Sequence, residues 1–144
     1  MNLGFYIDSL SEDSTTKEIY TSLNSAITDE KLRDANVFYN KINFNPQVAK
    51  FGIFNATEIW CFTGDLIATT IENVMFAKKI VNKFRLFYLF NKQDKDIMSL
   101  ISLENSVGVL TRNQDESDYV FRVTGKRPKV LNSLSVEDIK GAIA

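Results

Sequence analysis

The chain has no histidine and a single cysteine, Cys61, among its 144 residues. That removes an intramolecular disulfide, every triad or proton shuttle built on imidazole, and the usual zinc ligand sets. Cys61 sits in the run Ile-Trp-Cys-Phe and is expected to be a buried, inert strand residue, because no imidazole is present to activate it. No charge of one sign dominates: 17 Lys and Arg stand against 18 Asp and Glu, so no global field draws the chain to nucleic acid or to an anionic membrane. The densest basic group, Lys78, Lys79, Lys83 and Arg85, falls where a helix is expected to end, and cations favour that negative terminus. No apolar run reaches the ~18 residues of a membrane span, and Met1 to Asp8 lack the basic start of a secretory leader. A cytoplasmic protein without a membrane partner is the expectation. With 6 Gly and 2 Pro, turns must be ordered largely by Asn, Asp and Ser side chains. Neither a three-glycine dinucleotide fingerprint nor a Gly-Lys-Ser/Thr phosphate loop occurs, which disfavours nicotinamide enzymes and P-loop hydrolases. No cofactor and no metal are expected, and no complete catalytic motif names a reaction.

What is present is apolar and aromatic. Hydrophobic residues make up 44 % of the sequence, with 11 Phe, 5 Tyr and one Trp, enough for one domain over residues 1–144 to bury a core without disulfides. Leu3 to Ile7 reads as a buried first strand, and Thr15-Thr16-Lys17-Glu18 as a capping box opening a helix through Ile19, Leu23, Ala26 and Ile27. Asn36 to Asn40 is a second strand, Asn43, Asn45 and Pro46 a loop, and Val48 to Phe54 a third strand. Ile59 to Phe62 is expected as a fourth, joined through Gly64 to a long helix from Leu66 to about Asn82, with Thr63 or Asp65 as its N-cap. Phe84 to Phe90 reads as a central strand, followed by a helix carrying Ile97, Leu100 and Ile101. Val107 to Leu110 is another strand. A second capping box at Asn113 to Glu116 opens a helix that Gly125 ends, and Pro128 to Leu131 and a terminal helix from Ser135 complete the chain. Alternation of this kind predicts an α/β fold: a Rossmann-like, doubly wound, mostly parallel sheet with helices on both faces.

In such a sheet, ligands bind beyond the carboxyl ends of the strands, where the crossovers reverse direction. The residues expected there are Asp8, Ser9, Asn40, Asn55, Thr57, Thr63, Gly64, Asp65, Asn91 and the run Thr111-Arg112-Asn113. The ligand-binding set drawn from them is Asp8, Ser9, Asn55, Thr63, Gly64, Asp65 and Arg112. A glycine before a helix lets backbone amides approach an anion or a sugar hydroxyl, although Asp65 places a negative charge there. Arg112 offers a planar guanidinium to a carboxylate or phosphate, with an ion pair to Asp115 or Glu116 as the competing role. A phosphoacceptor pocket of Asp8, Asp13 and Asp65 lacks the paired acid beside the first strand. Catalytic residues are not identifiable.

The runs Phe54-Asn55-Ala56-Thr57-Glu58-Ile59-Trp60, Gly64 to Thr70, Phe87-Tyr88-Leu89-Phe90 and Val109-Leu110-Thr111-Arg112-Asn113 follow in an order that resembles the amino-terminal Rossmann-like domain of GT-B glycosyltransferases, in the small stand-alone form encoded by large tailed phages. The family holds its sugar nucleotide mainly in a second domain, and this sequence ends at Ala144. The resemblance therefore implies an acceptor-side half, a binding or interaction module with a sugar or nucleotide-sugar ligand, in the host cytoplasm. The catalytic histidine of many family members has no counterpart here. Two alternatives follow: a glycosyltransferase active as an oligomer or with a separate donor-binding chain, and a nucleotide-binding regulatory module. A protein partner or a homo-oligomer is expected, with Phe38, Tyr39, Phe44 and Phe62 as candidate contacts.

Overall fold

In the computed structural model, residues 2–43, 47–80, 84–94, 96–103 and 106–144 are described. Phe44, Asn45 and Pro46 of the expected loop, Asn82 at the expected helix end, and Lys83 of the basic group lie outside them. Seven strands, β1 (Leu3–Leu10), β2 (Ala35–Ile42), β3 (Gly52–Asn55), β4 (Gly64–Ala68), β5 (Phe84–Leu89), β6 (Val107–Thr111) and β7 (Lys129–Val130), form one sheet in the order β3-β2-β1-β4-β5-β6-β7. Every neighbouring pair is parallel. The helices are α1 (Ser14–Thr28), α2 (Ile71–Lys78), α3 (Ile97–Ile101), α4 (Gln114–Thr124) and α5 (Val136–Ile143). This is the Rossmann-like α/β architecture that the alternation predicts.

Period-2 patterning explains the two cores. Leu3, Phe5 and Ile7 of β1, Ile67 of β4 and Leu89 of β5 point to one face and pack with Ile19 and Leu23 of α1 and Ile139 of α5. Tyr6, Leu66, Ala68, Leu86 and Tyr88 point to the other, where Val74 of α2, Leu100 of α3 and Val120 of α4 cover them. Strands apolar on both sides are stable only between two helical layers, which is why β1, β4 and β5 occupy the centre. Their register is tight: Phe5 lies opposite Val37 on one side and Ile67 on the other.

Several expectations are corrected. The run from Leu66 is a strand as far as Ala68, and the helix begins only at Ile71. Ile67, Ile71 and Val74 satisfy a helical period, but Ile67 faces the α1 side and Val74 the α2 side, so burying both faces of a central strand overrides the local pattern. The N-cap is accordingly Thr70, whose Oγ1 accepts from the Asn73 amide at 3.1 Å, and neither Thr63 nor Asp65. Ile59 to Phe62 is not a strand, because Ala56–Cys61 forms a 3₁₀ turn started by Asn55, whose Oδ1 accepts from Thr57 N at 3.0 Å. Cys61 is consequently exposed. The cap of α1 is Asp13, accepting from Thr16 N at 2.8 Å, and Glu18 reaches elsewhere. At α4 the cap is the expected one: Asn113 accepts from Glu116 N at 2.8 Å, and Gly125, at φ +76°, ends the helix.

Phe38 and Phe62, expected near a partner surface, are 2 % and 5 % exposed. They meet edge to face at 5.4 Å and are core residues, since tucking two rings between β2 and the 3₁₀ turn removes large apolar area from water. Phe44 lies outside the described residues, and Tyr39 is partly buried against the α1 side. Among the described residues, no helix is long and apolar enough to cross a membrane.

Candidate functional site at the carboxyl end of the sheet

From β1 the chain runs outward through β2 to β3, returns to β4 on the other side of β1, and then proceeds to β7. The carboxyl ends of β1 and β4 therefore diverge into loops that leave in opposite directions, opening a crevice between them. A cleft of about 480 Å³ lies at this end, lined by the end of β1 and start of α1, by Thr69 and Thr70 after β4, by Asn91 to Gln93 after β5, and by Arg112 and Glu116 around the start of α4.

Asp8 of its lining belongs to a polar network between strands. Tyr6 Oη donates to Asn40 Oδ1 at 2.6 Å, and Asn40 Nδ2 donates to Asp8 Oδ1 at 3.2 Å and to Asn73 Oδ1 at 2.8 Å. Asn73, only 2 % exposed, returns a bond from Nδ2 to the Tyr6 carbonyl at 3.3 Å. Each neutral bond of this kind contributes about 1 kcal/mol net, whereas a buried carboxamide left unpaired costs about 1–3 kcal/mol, so the network specifies one arrangement of the β1, β2 and α2 ends. Burial, helped by the charges of Asp8 and Glu72 and opposed by the Asn40 bond, pushes the Tyr6 phenol up to about 12. It stays a neutral donor and fixes the carboxamide that holds Asp8.

A second tyrosine does the same beside Asn91 of the lining. Tyr88 Oη, fully buried, donates to Asp94 Oδ2 at 2.6 Å and accepts from Asn91 N at 3.3 Å, and the same Asp94 oxygen accepts from Ile71 N at 3.1 Å. Burial first, then the Asp94 bond, raises this phenol well above its ordinary value. The β5 loop is thereby tied to the start of α2.

Arg112 is the cleft's principal cation. Its Nη2 donates to Glu18 at 2.7 Å, its backbone N–H donates to Glu116 Oε1 at 3.0 Å, and its Nε is buried with no hydrogen-bond partner among the described residues. The expected competition for the guanidinium is thus won by Glu18 on α1, not by Asp115 or Glu116. Ser9 Oγ accepts from Asn43 at 2.9 Å.

Asp8, Ser9 and Arg112 are therefore brought together in the cleft. Asn55 is not among its lining residues, ending the edge strand β3 as the cap of the 3₁₀ turn. Thr63, Gly64 and Asp65 lie at the amino end of β4, opposite the cleft, which corrects their placement after a strand. Asp65 N donates to the Asn2 carbonyl at 2.9 Å and its carboxylate accepts from Arg85 Nε at 2.6 Å, so these residues close the far edge of the sheet. Thr69 and Thr70 are cleft residues that the sequence reading did not place there, and Asp13, weighed with Asp8 and Asp65 only as a phosphoacceptor pocket, is a third lining residue. The signal for them was available: Thr69-Thr70 follows the apolar run Leu66-Ile67-Ala68 as a strand end, and Asp13 stands three residues before Thr16, at N-cap spacing. Comparison of the chain with known protein families, with curated proteins and with solved structures finds no match.

Proposed function

We propose that this chain is a binding module of glycosyltransferase-like type, corresponding to the amino-terminal half of a GT-B enzyme, and that its cleft at the sheet's carboxyl end takes a sugar-type ligand. The cleft itself carries the reading. Hydroxyls of Ser9, Ser14, Thr15, Thr69 and Thr70 and the carboxamides of Asn91 and Gln93 line it. Groups that both donate and accept suit a ligand rich in hydroxyls, and a crevice at the strand-order reversal is the general ligand position of this fold. The sheet order agrees with the Rossmann-like half that the resemblance implies. Without a histidine, the acid or base work of the family's catalytic residue has no imidazole to perform it, which favours binding over autonomous turnover.

A partner surface is part of the reading. The edge strand β3 exposes Ile53 and Phe54, and Trp60 of the adjacent 3₁₀ turn is 54 % exposed. Apolar side chains beside a strand edge left unpaired among the described residues favour coverage by another chain.

Three measurements test this. Amide chemical shifts of Asp8, Ser9, Thr69 and Arg112 are expected to move on titration with simple sugars, and to stay still in a Ser9→Ala/Thr69→Val double variant. Incubation with a panel of UDP- and GDP-sugars is expected to release no nucleotide, and hydrolysis or transfer by the purified chain alone would overturn the non-catalytic reading. For association, light scattering after size exclusion is expected to give a mass above the 16.4 kDa of one chain, and a stable monomer at high concentration would exclude self-association.

A further inference from the structure

Resting on the cleft as the ligand site, we infer that it selects an uncharged polyhydroxyl compound over its phosphorylated counterpart, and that Asp13 is the residue that excludes phosphate. Three carboxylates, Asp8, Asp13 and Glu116, line the cleft with two cations, Lys92 and Arg112. Arg112 is not available as a full positive charge, since Glu18, a fourth carboxylate, holds its Nη2 at 2.7 Å. Lys92 is then the one lining cation left against the three lining carboxylates.

In Rossmann-like folds the start of the first helix is where a phosphate gains most, from free amides and the helix dipole. Here that position is filled from within the chain. Asp13 Oδ1 accepts from Thr16 N at 2.8 Å, and Oδ2 accepts from Thr16 Oγ1 at 3.1 Å and Ser11 Oγ at 2.7 Å. Burial alone would raise its pKa, but these bonds, with one from the Thr15 amide, outweigh that and hold it below the ordinary carboxylate range. The charge is therefore permanent at neutral pH, and the donors a phosphate would need are spent on it. A neutral ligand meets none of this repulsion. It finds hydroxyls around Ser9 and Thr69.

The test uses matched pairs that differ only in phosphate: methyl α-glucopyranoside against glucose 1-phosphate, and uridine against uridine monophosphate. Each is titrated into the ¹⁵N-labelled full chain while the cleft amides are followed. The neutral member of at least one pair is expected to bind about ten-fold more tightly than its phosphorylated partner at low salt. Asp13→Ser keeps a capping oxygen and removes the charge, and is expected to bring the two to within about three-fold. Asp13→Asn, nearly isosteric, serves as the second variant and is expected to move affinity in the same direction. A phosphorylated probe that binds the wild-type cleft as well as its neutral partner overturns the inference and leaves the cleft as the ligand site. A ten-fold preference unchanged in both variants removes Asp13 as its cause. Shifts from no probe at any cleft amide overturn the site and the inference together.

Discussion

The two ends of the sheet are built from similar residue types and do opposite things with them. At the amino end, Asp65 meets Arg85, Asn2 bonds Thr63 and Asp65 through its side chain and backbone, and Gly64 sits at φ +132° with no room beside it. Arg85 Nη1 also donates to the Ile143 carbonyl at 3.0 Å, tying α5 to the same edge. At the carboxyl end, Asp8, Asn40 and Asn73 are held by one another, and Arg112 by Glu18 and Glu116, at the edge of an open cleft lined by hydroxyls. The difference is one of closure. Polar groups at the amino end are used up in joining strands to the chain's own termini, whereas those at the carboxyl end fix a geometry and leave donors and acceptors facing solvent.

The sharpest way to separate the ends is Gly64→Ala. A Cβ there would lie 2.3 Å from the Asn2 carbonyl oxygen, and the backbone angle is one that L residues rarely adopt. Strain and overlap together are expected to cost about 3 kcal/mol or more, read as a lower urea midpoint. Sugar-induced shifts at the cleft, measured on the folded fraction in the cold, should be unchanged. If the same substitution abolishes those shifts, the two ends are not independent.

Asn73→Ala is the counterpart at the cleft. Asn40 loses one of its two acceptors and the Tyr6 carbonyl keeps only Thr69, so about 2 kcal/mol of stability is expected to go. Unlike Gly64→Ala, it should also weaken ligand binding, because Asp8 loses a fixed partner. A loss of stability with intact binding would mean that the network serves the fold alone.

These two residues show what the sequence made legible. The strands β1, β5 and β6 and the caps at Asn113, Gly125 and Ser135 were readable because each rests on a local rule: a run apolar on both faces, or a side-chain acceptor at N-cap spacing. Of the site, Asp8, Ser9 and Arg112 followed once β1 and β6 were in place, since each stands at a strand's carboxyl end. Gly64 was misplaced because its neighbours support two periods at once. Gly64-Asp65-Leu66-Ile67-Ala68 fits a helix start as well as a strand, and only the presence of β1 and β5 on either side decides. Asn73 was invisible for a related reason. Its partners Tyr6 and Asn40 are more than 30 positions away, and no local pattern joins them.

Asp65→Asn extends the comparison with a smaller effect. The carboxylate is mostly buried, but the Arg85 side chain is 59 % exposed and retains the Ile143 carbonyl and the Phe87 ring, 5.5 Å away. A pair with one partner in water contributes little, so the midpoint should fall less than for Asn73→Ala, with no change in ligand binding. A larger loss than that of Asn73→Ala would show the amino end to be the more tightly coupled of the two.

The smallest expected effect concerns acid. Asp13 has a folded-state pKa below its unfolded value, because hydrogen bonds from Thr16, Ser11 and Thr15 outweigh the opposing effect of burial. For a depressed carboxyl, the unfolded chain takes up the proton first as pH falls. Its stabilising contribution is therefore fully present above the unfolded value of about 3.9, and is lost as pH drops through the lower folded one. Asp13→Asn retains an N-cap oxygen and cannot titrate, so wild type should exceed it at pH 7 by under about 1 kcal/mol, given an exposed site where solvent screens the charge. Urea midpoints of the two proteins should converge as pH falls below the unfolded value and the wild-type carboxylate is neutralised. The other depressed carboxyls, Asp96, Asp118 and Glu137, are common to both proteins, so their acid sensitivity cancels in the difference. A gap that stays constant from pH 7 down through the acid transition would show that the Asp13 charge is not what its hydrogen bonds stabilise. It would also weaken the case that this carboxylate is what keeps phosphate from the start of α1.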